Sequence, residues 1–292
     1  MYYKDFKGNK ISSLGLGSLR LPAVSGDPNK IDREAANKVI HQAFASGINY
    51  FDAAYTYHKG DSERFLGEAL SRYPRDSYYL ASKFYVIANP NIEEVFEEQL
   101  RRCRTDYFDF YLIHSVQEHF MEQYMDPKKD YIGYLLKQKA AGRIRYLGFS
   151  SHMKPEGLRR FLDWYPDFDM ALIQLNYLDW TLLDGKGQYD LLTERGIPVW
   201  VMEPLKGGRL VHLNNQAEEI LLRAAPGQTI PSWSFRYLLG LPNVQCVLSG
   251  MTSPEEIRQN AAVFEPGNQL TEAEHAALQE AILAFRDSFG VP

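Results

Sequence analysis

Hydrophobic residues recur along the chain with two periods that alternate after residue 10. Short runs rich in β-branched and aromatic residues, typical of buried strands, alternate with segments whose apolar residues lie three or four positions apart, typical of amphipathic helices. The predicted strands are Ile11–Leu19, Ile48–Phe51, Tyr78–Ser82, Phe108–Ile113, Arg145–Phe149, Ala171–Leu175, Pro198–Met202 and Val244–Leu248. The predicted helices are Asp32–Ser46, Glu63–Arg72, Ile92–Cys103, Tyr131–Ala141, Pro155–Trp164, Tyr189–Arg195, Ser232–Leu239, one that begins at Ser253, and Glu272–Arg286.

Eight strands that alternate with eight helices, followed by one additional C-terminal helix, predict an α/β fold of the (β/α)8 TIM-barrel class. Glycine and proline fall between the elements and no linker divides the chain, so we expect a single domain over residues 1–292. Active sites in this class lie at the C-terminal ends of the strands. Four long insertions are predicted on that face, namely Arg20–Lys30, Val116–Asp130, Leu178–Gln188 and Lys206–Gln228.

Composition narrows the class of partner. The chain is 45% hydrophobic and 24% charged, with a formal net charge of -5 and no run of Lys or Arg, so we expect no nucleic-acid partner. It has no apolar segment long enough to cross a bilayer and no N-terminal signal core, which predicts a cytoplasmic protein with no membrane partner. Two cysteines, Cys103 and Cys246, are too few for a disulfide framework or a metal cluster and are predicted to be buried thiols.

Three charged or polar residues stand at the ends of neighbouring predicted strands. Asp52, Lys83 and His114 end the second, third and fourth strands, and Tyr57 follows in the loop after the second. Such a group suits proton donation to a carbonyl oxygen as a hydride arrives, with tyrosine as the acid. Free tyrosine has a pKa of about 10, too high for an efficient donor near neutrality. Lys83 is the cation expected to lower it, Asp52 the partner that keeps Lys83 charged, and His114 the group that orients the substrate oxygen.

Two other interpretations of these residues stay open. Asp52 and Lys83 could form a structural ion pair inside the barrel, because such pairs also perturb pKa values. Asp52, His114 and Glu203 could ligate a metal in a barrel hydrolase or isomerase. Lys83 argues against the metal because an ammonium competes for the Asp52 carboxylate and ligates nothing itself.

Several segments carry a resemblance to a known family. They are Gly47–Tyr57, Gly60–Glu63, Ser82-Lys83, Tyr111–His114, Gly148–Ser151, Gln174–Tyr177, Glu203–Leu205 and Ser249–Asn260. In these segments, which span essentially the whole chain, the sequence resembles the aldo-keto reductases. The resemblance implies an NAD(P)H-dependent oxidoreductase that reduces an aldehyde or ketone to an alcohol by hydride transfer. It also implies Tyr57 as the proton donor, Lys83 and Asp52 as the residues that tune it, and His114 as the residue that orients the carbonyl.

The resemblance further implies a cofactor extended across the barrel mouth, NADP(H) as the first expectation and NAD(H) as the second, with no metal. Ser150 and Gln174 would contact the nicotinamide carboxamide, and the Pro204–Gly208 loop would lie along the pyrophosphate. The helix N-terminus at Pro254 would face the adenosine and Asn260 the adenine. The implied cofactor-binding residues are Ser150, Ser151, Gln174, Met202, Pro204, Leu205, Gly207, Gly208, Ser253, Glu256 and Asn260.

Three positions depart from the family pattern. Ser151 stands where asparagine is common, and Met202 stands where an aromatic side chain often stacks on the nicotinamide. Near the adenine ribose, where many members have basic residues, this chain has Glu256. Glu256 would repel a 2′-phosphate and could accept a hydrogen bond from a 2′-hydroxyl, which keeps NADH as the alternative to NADPH.

Two further expectations concern the branch of the family and the substrate. Met202–Gly208 is similar to a branch that often carries a cysteine-rich, iron–sulfur-binding tail, and the 292 residues contain no such cysteines. The aromatic residues expected near the mouth are Tyr55, Phe84, Tyr85, Phe120, Tyr124 and Trp180. They favour an apolar or aromatic small-molecule carbonyl over a phosphorylated sugar. A reductase-like barrel that senses the nucleotide without turnover is the remaining alternative, and no particular oligomeric state is predicted.

Overall fold

Strands and helices alternate along residues 1–287, the part of the chain that the computed structural model describes. The strands are β1 (Tyr3–Phe6), β2 (Asn9–Ser12), β3 (Leu14–Gly17), β4 (Ala23–Val24), β5 (Asp27–Ile31), β6 (Tyr50–Asp52), β7 (Tyr79–Phe84), β8 (Phe108–Val116), β9 (Ile144–Ser151), β10 (Met170–Gln174), β11 (Val199–Met202) and β12 (Val244–Ser249). The α-helices are α1 (Arg33–Ala45), α2 (Asp61–Leu70), α3 (Ile92–Cys103), α4 (Met121–Met125), α5 (Tyr131–Ala140), α6 (Pro155–Trp164), α7 (Asp179–Leu182), α8 (Gly185–Glu194), α9 (Asn215–Ala224), α10 (Ile230–Leu239), α11 (Pro254–Val263) and α12 (Glu272–Asp287).

Eight of these strands close into a parallel barrel, in the order β3-β6-β7-β8-β9-β10-β11-β12, with β12 pairing back onto β3. Each of the eight predicted strands overlaps one barrel strand, and α12 is the additional C-terminal helix. The predicted TIM-barrel fold is therefore confirmed. Since all strands run in one direction, their C-terminal ends form one rim, and this rim carries the site.

The first predicted strand is wrong in its extent. Ile11–Leu19 divides at Ser13 into β2 and β3, where Ser12 Oγ donates a hydrogen bond to the Leu14 carbonyl, and its last two residues lie beyond the end of β3. Strand β2 pairs antiparallel with β1, and this hairpin lies outside the parallel barrel. It places Phe6 and Ile11 in the same buried cluster as the side chains that fill the barrel interior.

The predicted long insertions contain regular structure that the pattern did not reveal. Strands β4 and β5 form a hairpin within Arg20–Lys30, while α4, α7 and α9 lie in the other three insertions. Three predicted helices also begin earlier than expected, since α2 starts at Asp61, α8 at Gly185 and α10 at Ile230. These short elements surround the rim at the C-terminal ends of the strands.

Aromatic side chains fill the barrel interior below the rim. Tyr50, Phe110 and Trp200 are fully buried, and the Phe110 ring centroid lies 5.1 Å from Tyr50 and 5.4 Å from Trp200. Cys103 and Cys246 are buried free thiols, as the sequence predicts, and burial raises the pKa of both well above the usual value. The packed interior leaves the rim as the place where polar side chains gather.

Candidate active site

The C-terminal ends of β6, β7 and β8 meet at one side of the rim. Strand β7 lies between β6 and β8, with Asp52 opposite Ala81 and Lys83 opposite Leu112. The Lys83 ammonium, fully buried, donates hydrogen bonds to Asp52 Oδ1 at 2.5 Å and to the Ala53 carbonyl at 2.6 Å. An ion pair removed from water needs such additional hydrogen bonds to offset desolvation, and here the backbone supplies one.

Tyr57 lies over the same ammonium. The Lys83 Nζ is 4.9 Å from the centroid of the Tyr57 ring. Burial raises the pKa of Tyr57 above its usual value of 10.0, and the charge of Lys83 opposes that increase without cancelling it. The expected lowering by Lys83 is present, but the expected net decrease in the pKa is wrong because the loss of hydration is larger. Tyr57 therefore holds its proton at neutral pH.

Burial shifts the pKa values of Asp52 and Lys83 in opposite directions, because it disfavours the charged form of each. Burial raises the pKa of Asp52, and Lys83 partly reverses this through its charge and its hydrogen bond. Burial tends to lower the pKa of Lys83, but Asp52 and Tyr57 outweigh it, so the pKa of Lys83 is raised. Lys83 is thus a cation at neutral pH, which is the role the sequence predicts for it.

His114 completes the group. Its ring packs edge-on against Tyr57 with centroids 5.8 Å apart, and its Nδ1 is buried without a partner among residues 1–287. Burial, with the charges of Lys83 and His152, holds the pKa of His114 well below 6.5. A neutral imidazole carries one N–H donor, so His114 can offer a hydrogen bond to a substrate oxygen without adding a charge.

A cavity of about 340 Å³ lies at the strand ends of the same rim. Glu203, which lines it, is near enough to the polar group for its charge to raise the pKa of Tyr57. Six predicted cofactor-binding residues line it, namely Pro204, Leu205, Gly207, Gly208, Glu256 and Asn260. Backbone with positive φ borders the cavity at Glu203 (56°), Gly207 (65°) and Gly208 (94°), a conformation that can turn backbone N–H groups toward an anion. The Gly208 N–H is engaged by the Leu205 carbonyl at 2.9 Å, which leaves the Gly207 N–H as the candidate donor. The cavity is therefore suited to the phosphate-bearing part of a nucleotide.

Arg20 also lines the cavity and was missed in the sequence. A Cβ on Gly250 would stand 3.0 Å from the Arg20 Cβ, and a Cβ on Gly207 would stand 3.4 Å from the Arg20 Nη2. The Arg20 side chain therefore extends from Gly250 toward the Gly207 loop. Among the residues described, Arg20 has no ion pair. The insertion after β3 has no periodic pattern of hydrophobic residues, so only its predicted place on the rim face indicated that Arg20 could line the cavity.

Gln174 is fixed by a buried network. Its Nε2 donates to Asp179 Oδ2 at 2.9 Å, and Asp179 also accepts from Asn176 Nδ2 at 2.7 Å and pairs with Lys206. Asn176 Nδ2 further donates to the Glu203 carbonyl at 3.0 Å. Its side chain also forms a hydrogen bond with His152, which partly opposes the lowering of the His152 pKa by burial. The same network ties Gln174 to the Glu203–Gly208 loop.

The remaining predicted cofactor residues serve local structure. Ser150 Oγ accepts from the Ser115 N–H at 2.6 Å beside His114, and Ser151 Oγ accepts from the Met153 N–H at 3.0 Å. Ser253 Oγ caps α11 by accepting from the Glu256 N–H at 3.2 Å. Met202 ends β11 and packs on the barrel interior. Of these four residues, Ser150 lies beside His114.

Most aromatic residues expected near the mouth pack elsewhere. Phe84 and Tyr124 are fully buried, Tyr55 packs on Arg102, and Trp180 packs on Tyr189 and Tyr237. Tyr85 and Phe120 do adjoin the site. The Tyr85 ring lies 5.4 Å from His114 and 6.1 Å from Phe120, which gives an aromatic wall beside the imidazole.

Within residues 1–287, no group of three or more His, Cys, Asp or Glu side chains could hold a metal ion. None of the helices there combines the length and the apolar character that a bilayer crossing requires.

The parallel barrel, with a buried ion pair, a tyrosine and a neutral histidine at its rim, has the architecture of a barrel enzyme. A sequence model of the aldo/keto reductase family matches residues 13–283. The chain therefore belongs to the aldo/keto reductase family. Membership makes it an NAD(P)H-dependent carbonyl oxidoreductase in the general sense, as the resemblance implied.

Individual relatives are distant but similar over their full length. The chain is 27% identical to the NADH-specific methylglyoxal reductase of Escherichia coli, covering 87% of this chain and 90% of that one. It is 27% identical to L-galactose dehydrogenase of Arabidopsis thaliana, covering 94% and 92%. An aldo-keto reductase of Bacillus halodurans in its holo form superposes with a TM-score of 0.79 at 25% identity, covering 96% of each chain.

Proposed function

We propose that this protein reduces an aldehyde or ketone to an alcohol with a reduced nicotinamide nucleotide, and that Tyr57 donates the proton. The observation that carries the proposal is the buried Lys83 ammonium, bonded to Asp52 and lying beneath the Tyr57 ring. A buried cation is costly unless it is paired or has a function. Here its charge would stabilise the phenolate that forms when Tyr57 gives up its proton.

The chain's own residues would act in sequence on the carbonyl. The neutral His114 imidazole would donate a hydrogen bond to the carbonyl oxygen and hold it toward Tyr57. The nicotinamide, when bound, supplies the hydride to the carbonyl carbon. Tyr57 would transfer its proton to the oxygen, and the C=O bond would become an alcohol. Lys83 would stabilise the phenolate until solvent returns the proton.

The cavity residues fit the rest of the nucleotide. The left-handed backbone at Gly207 would direct its N–H group to the pyrophosphate, and Arg20 would supply a positive charge there. Gln174, held by Asp179 and His152, would lie beside the nicotinamide carboxamide. Ser150 would approach the same group, while Asn260 would lie near the adenine.

We also propose that the adenosine end favours NADH. Glu256 lines the cavity, and its carboxylate is anchored by the Thr252 N–H at 2.7 Å and the Thr252 hydroxyl at 3.1 Å. Arg258 is turned away, since it bonds Glu255 and Gln42. A 2′-phosphate would thus meet a fixed negative charge. The NADH-specific Escherichia coli relative is consistent with this preference.

The wall formed by Tyr85 and Phe120 beside His114 supports an apolar or aromatic carbonyl as substrate. A planar substrate could pack against these rings while its oxygen reaches His114. A substrate panel tests this part. Higher kcat/KM for phosphorylated sugars than for aromatic aldehydes would contradict it.

The first experiment measures binding of NADH and NADPH by quenching of tryptophan fluorescence, followed by turnover with a simple aldehyde. We expect Tyr57→Phe to keep cofactor affinity and to lose at least about 10²-fold in kcat, the usual scale for a general acid. Unchanged kcat would remove Tyr57 from the role. Binding without turnover in the wild type would instead support the nucleotide-sensing alternative.

Two cavity variants test the cofactor preference. Glu256→Gln should tighten NADPH about tenfold and leave NADH unchanged, because a unit charge about 4 Å away in water is worth about 1 kcal/mol per phosphate charge. Arg20→Met is the matched control, since it should weaken both nucleotides alike through the shared pyrophosphate. If Glu256→Gln alters both nucleotides equally, Glu256 does not read the ribose.

A further inference from the structure

The buried carboxylate of Glu63 lies near the Asp52–Lys83 ion pair, and the proposed reaction does not use it. Glu63, in the first turn of α2, is fully buried. It accepts hydrogen bonds from Ser82 Oγ at 2.5 Å, Gln99 Nε2 at 2.6 Å and Arg102 Nη1 at 3.0 Å. We call these four residues the Glu63 network. It joins α2, β7 and α3, so it crosses the elements that surround the site.

One end of the network holds the backbone that carries Lys83. Gln99 Nε2 donates to the Lys83 carbonyl at 3.0 Å, and Ser82 directly precedes Lys83. Tyr111 donates its hydroxyl to Gln99 Oε1 at 2.5 Å. This contact orients the Gln99 amide, so that its nitrogen faces Glu63 and the Lys83 carbonyl.

The other end holds the segment that carries Tyr57. Arg102 Nη1 donates to the Tyr55 carbonyl at 3.1 Å, two residues before Tyr57. The Arg102 guanidinium also lies 4.5 Å from the Tyr55 ring centroid. Glu98 completes the clamp, since it accepts from Arg102 Nη2 at 2.5 Å and from the Tyr55 hydroxyl at 3.0 Å.

Glycine makes room for Arg102 at the end of the Tyr57 turn. Gly60 has a φ of +85°, and a Cβ there would stand 2.7 Å from Arg102 Nη1. Gly67 acts similarly about two helix turns further on, because a Cβ there would stand 2.4 Å from the Arg102 carbonyl oxygen. Gly60 therefore allows Arg102 to approach the turn that carries Tyr57, and Gly67 allows α3 to approach α2.

We propose that Glu63 and Arg102 are positioning residues for proton donation, which fix Tyr57 relative to Lys83 through this single buried network. The proposal rests on the proposed function, since it assigns a reason for holding these two side chains together. Misplacement by about 1 Å can cost about 10²-fold in rate even when the substituted residue is remote from the chemistry. Neither Glu63 nor Arg102 needs to touch substrate or cofactor for this role.

The test compares Glu63→Gln with Asp109→Asn. Asp109 is also fully buried and also paired with arginine, accepting from Arg75 Nη2 and Arg145 Nη1 at 2.7 Å each, but it lies at the opposite end of the barrel. Both substitutions convert a carboxylate into a carboxamide, so both should lower stability against urea. Only Glu63→Gln should lower kcat, by about 10- to 100-fold, with the cofactor Kd unchanged.

The pH profile supplies a readout that a purely structural role would not change. Lys83 opposes the increase that burial causes in the pKa of Tyr57. A looser contact between Lys83 and Tyr57 should raise the pKa of Tyr57 further, so the loss of kcat at high pH should move to higher pH in Glu63→Gln. Asp109→Asn should keep the wild-type profile. Arg102→Lys, which keeps the charge but not the fork of donors, provides the same comparison if Glu63→Gln does not fold.

The outcomes separate this proposal from the proposed function. If Tyr57→Phe is inactive while Glu63→Gln and Arg102→Lys match Asp109→Asn in kcat and pH profile, the network proposal alone is wrong. If Tyr57→Phe keeps its turnover, the proposed role of Tyr57 fails, and the network proposal fails with it. A selective loss of kcat with a shifted profile supports both.

Discussion

Substitution of Lys83 by methionine tests how much the buried ammonium contributes to turnover. Its Nζ lies 4.9 Å from the Tyr57 ring centroid and is fully buried. At an effective dielectric constant of about 20, an ammonium about 4–5 Å from the phenolate oxygen would stabilise it by about 3–4 kcal/mol. Loss of this stabilisation from the forming phenolate should lower kcat by about 10²- to 10³-fold at neutral pH.

The same substitution leaves the Asp52 carboxylate buried without its partner. Burial already raises the pKa of Asp52, and Lys83 is what opposes it. Breaking such a pair typically costs about 3–5 kcal/mol of stability, whereas replacing both members by neutral groups is often close to neutral. The double variant Asp52→Asn/Lys83→Met should therefore recover most of the stability of the wild type but none of the turnover.

Two assays distinguish these effects. Turnover is followed by the loss of reduced-nicotinamide absorbance with an aldehyde at saturating cofactor, and stability by urea unfolding. The reasoning is refuted if folded Lys83→Met keeps kcat within about tenfold of the wild type, a difference of only about 1.4 kcal/mol in the barrier. Recovery of turnover together with stability in the double variant would also refute it.

Two further predictions concern the cofactor loop and the imidazole. Lys206→Met should weaken nucleotide binding by about tenfold, measured by tryptophan fluorescence, because it removes the ion pair that ties the loop to Asp179. A tenfold change in Kd corresponds to about 1.4 kcal/mol. An unchanged Kd would show that this ion pair does not order the loop. The wild type should lose stability relative to His114→Gln as the pH falls below about 6.5, because the lowered pKa of His114 keeps it neutral when folded while the unfolded chain takes up a proton. Parallel urea-stability profiles across that range would contradict this second prediction.

The gathering of Asp52, Lys83 and His114 at the rim could be predicted from the sequence because it follows from one rule of the fold. Once strands were placed by their hydrophobic periods, Asp52, Lys83 and His114 stood at strand ends, and neighbouring strands brought them together. The sign of the net change in the pKa of Tyr57 could not be predicted. It depends on how much water the folded chain excludes, and charge counting along the sequence does not measure that.

Residues contributed by helices and insertions were harder to find. Arg102 and Gln99 come from α3, whose rotation relative to β7 is set by tertiary packing. Glu63 was part of a recognisable motif, but nothing in the motif indicated its buried partners. Arg20 lies in an insertion without periodicity, and Tyr3–Phe6 was missed as a strand because most of its residues are not buried.

The order of strands around the barrel places the proposed proton-transfer residues and the proposed nucleotide cavity on different halves of the rim. The residues proposed to handle the proton lie on β6, β7 and β8 and in the turn after β6, while the cavity proposed for the nucleotide is built from the ends of β11, β12 and β3 and from α11. Substitutions that retune the nucleotide choice, such as those at Glu256, need not disturb the packing that holds Tyr57. A lineage built on this scaffold is thus free to exchange its electron donor through changes in one half while the acid in the other half is inherited intact.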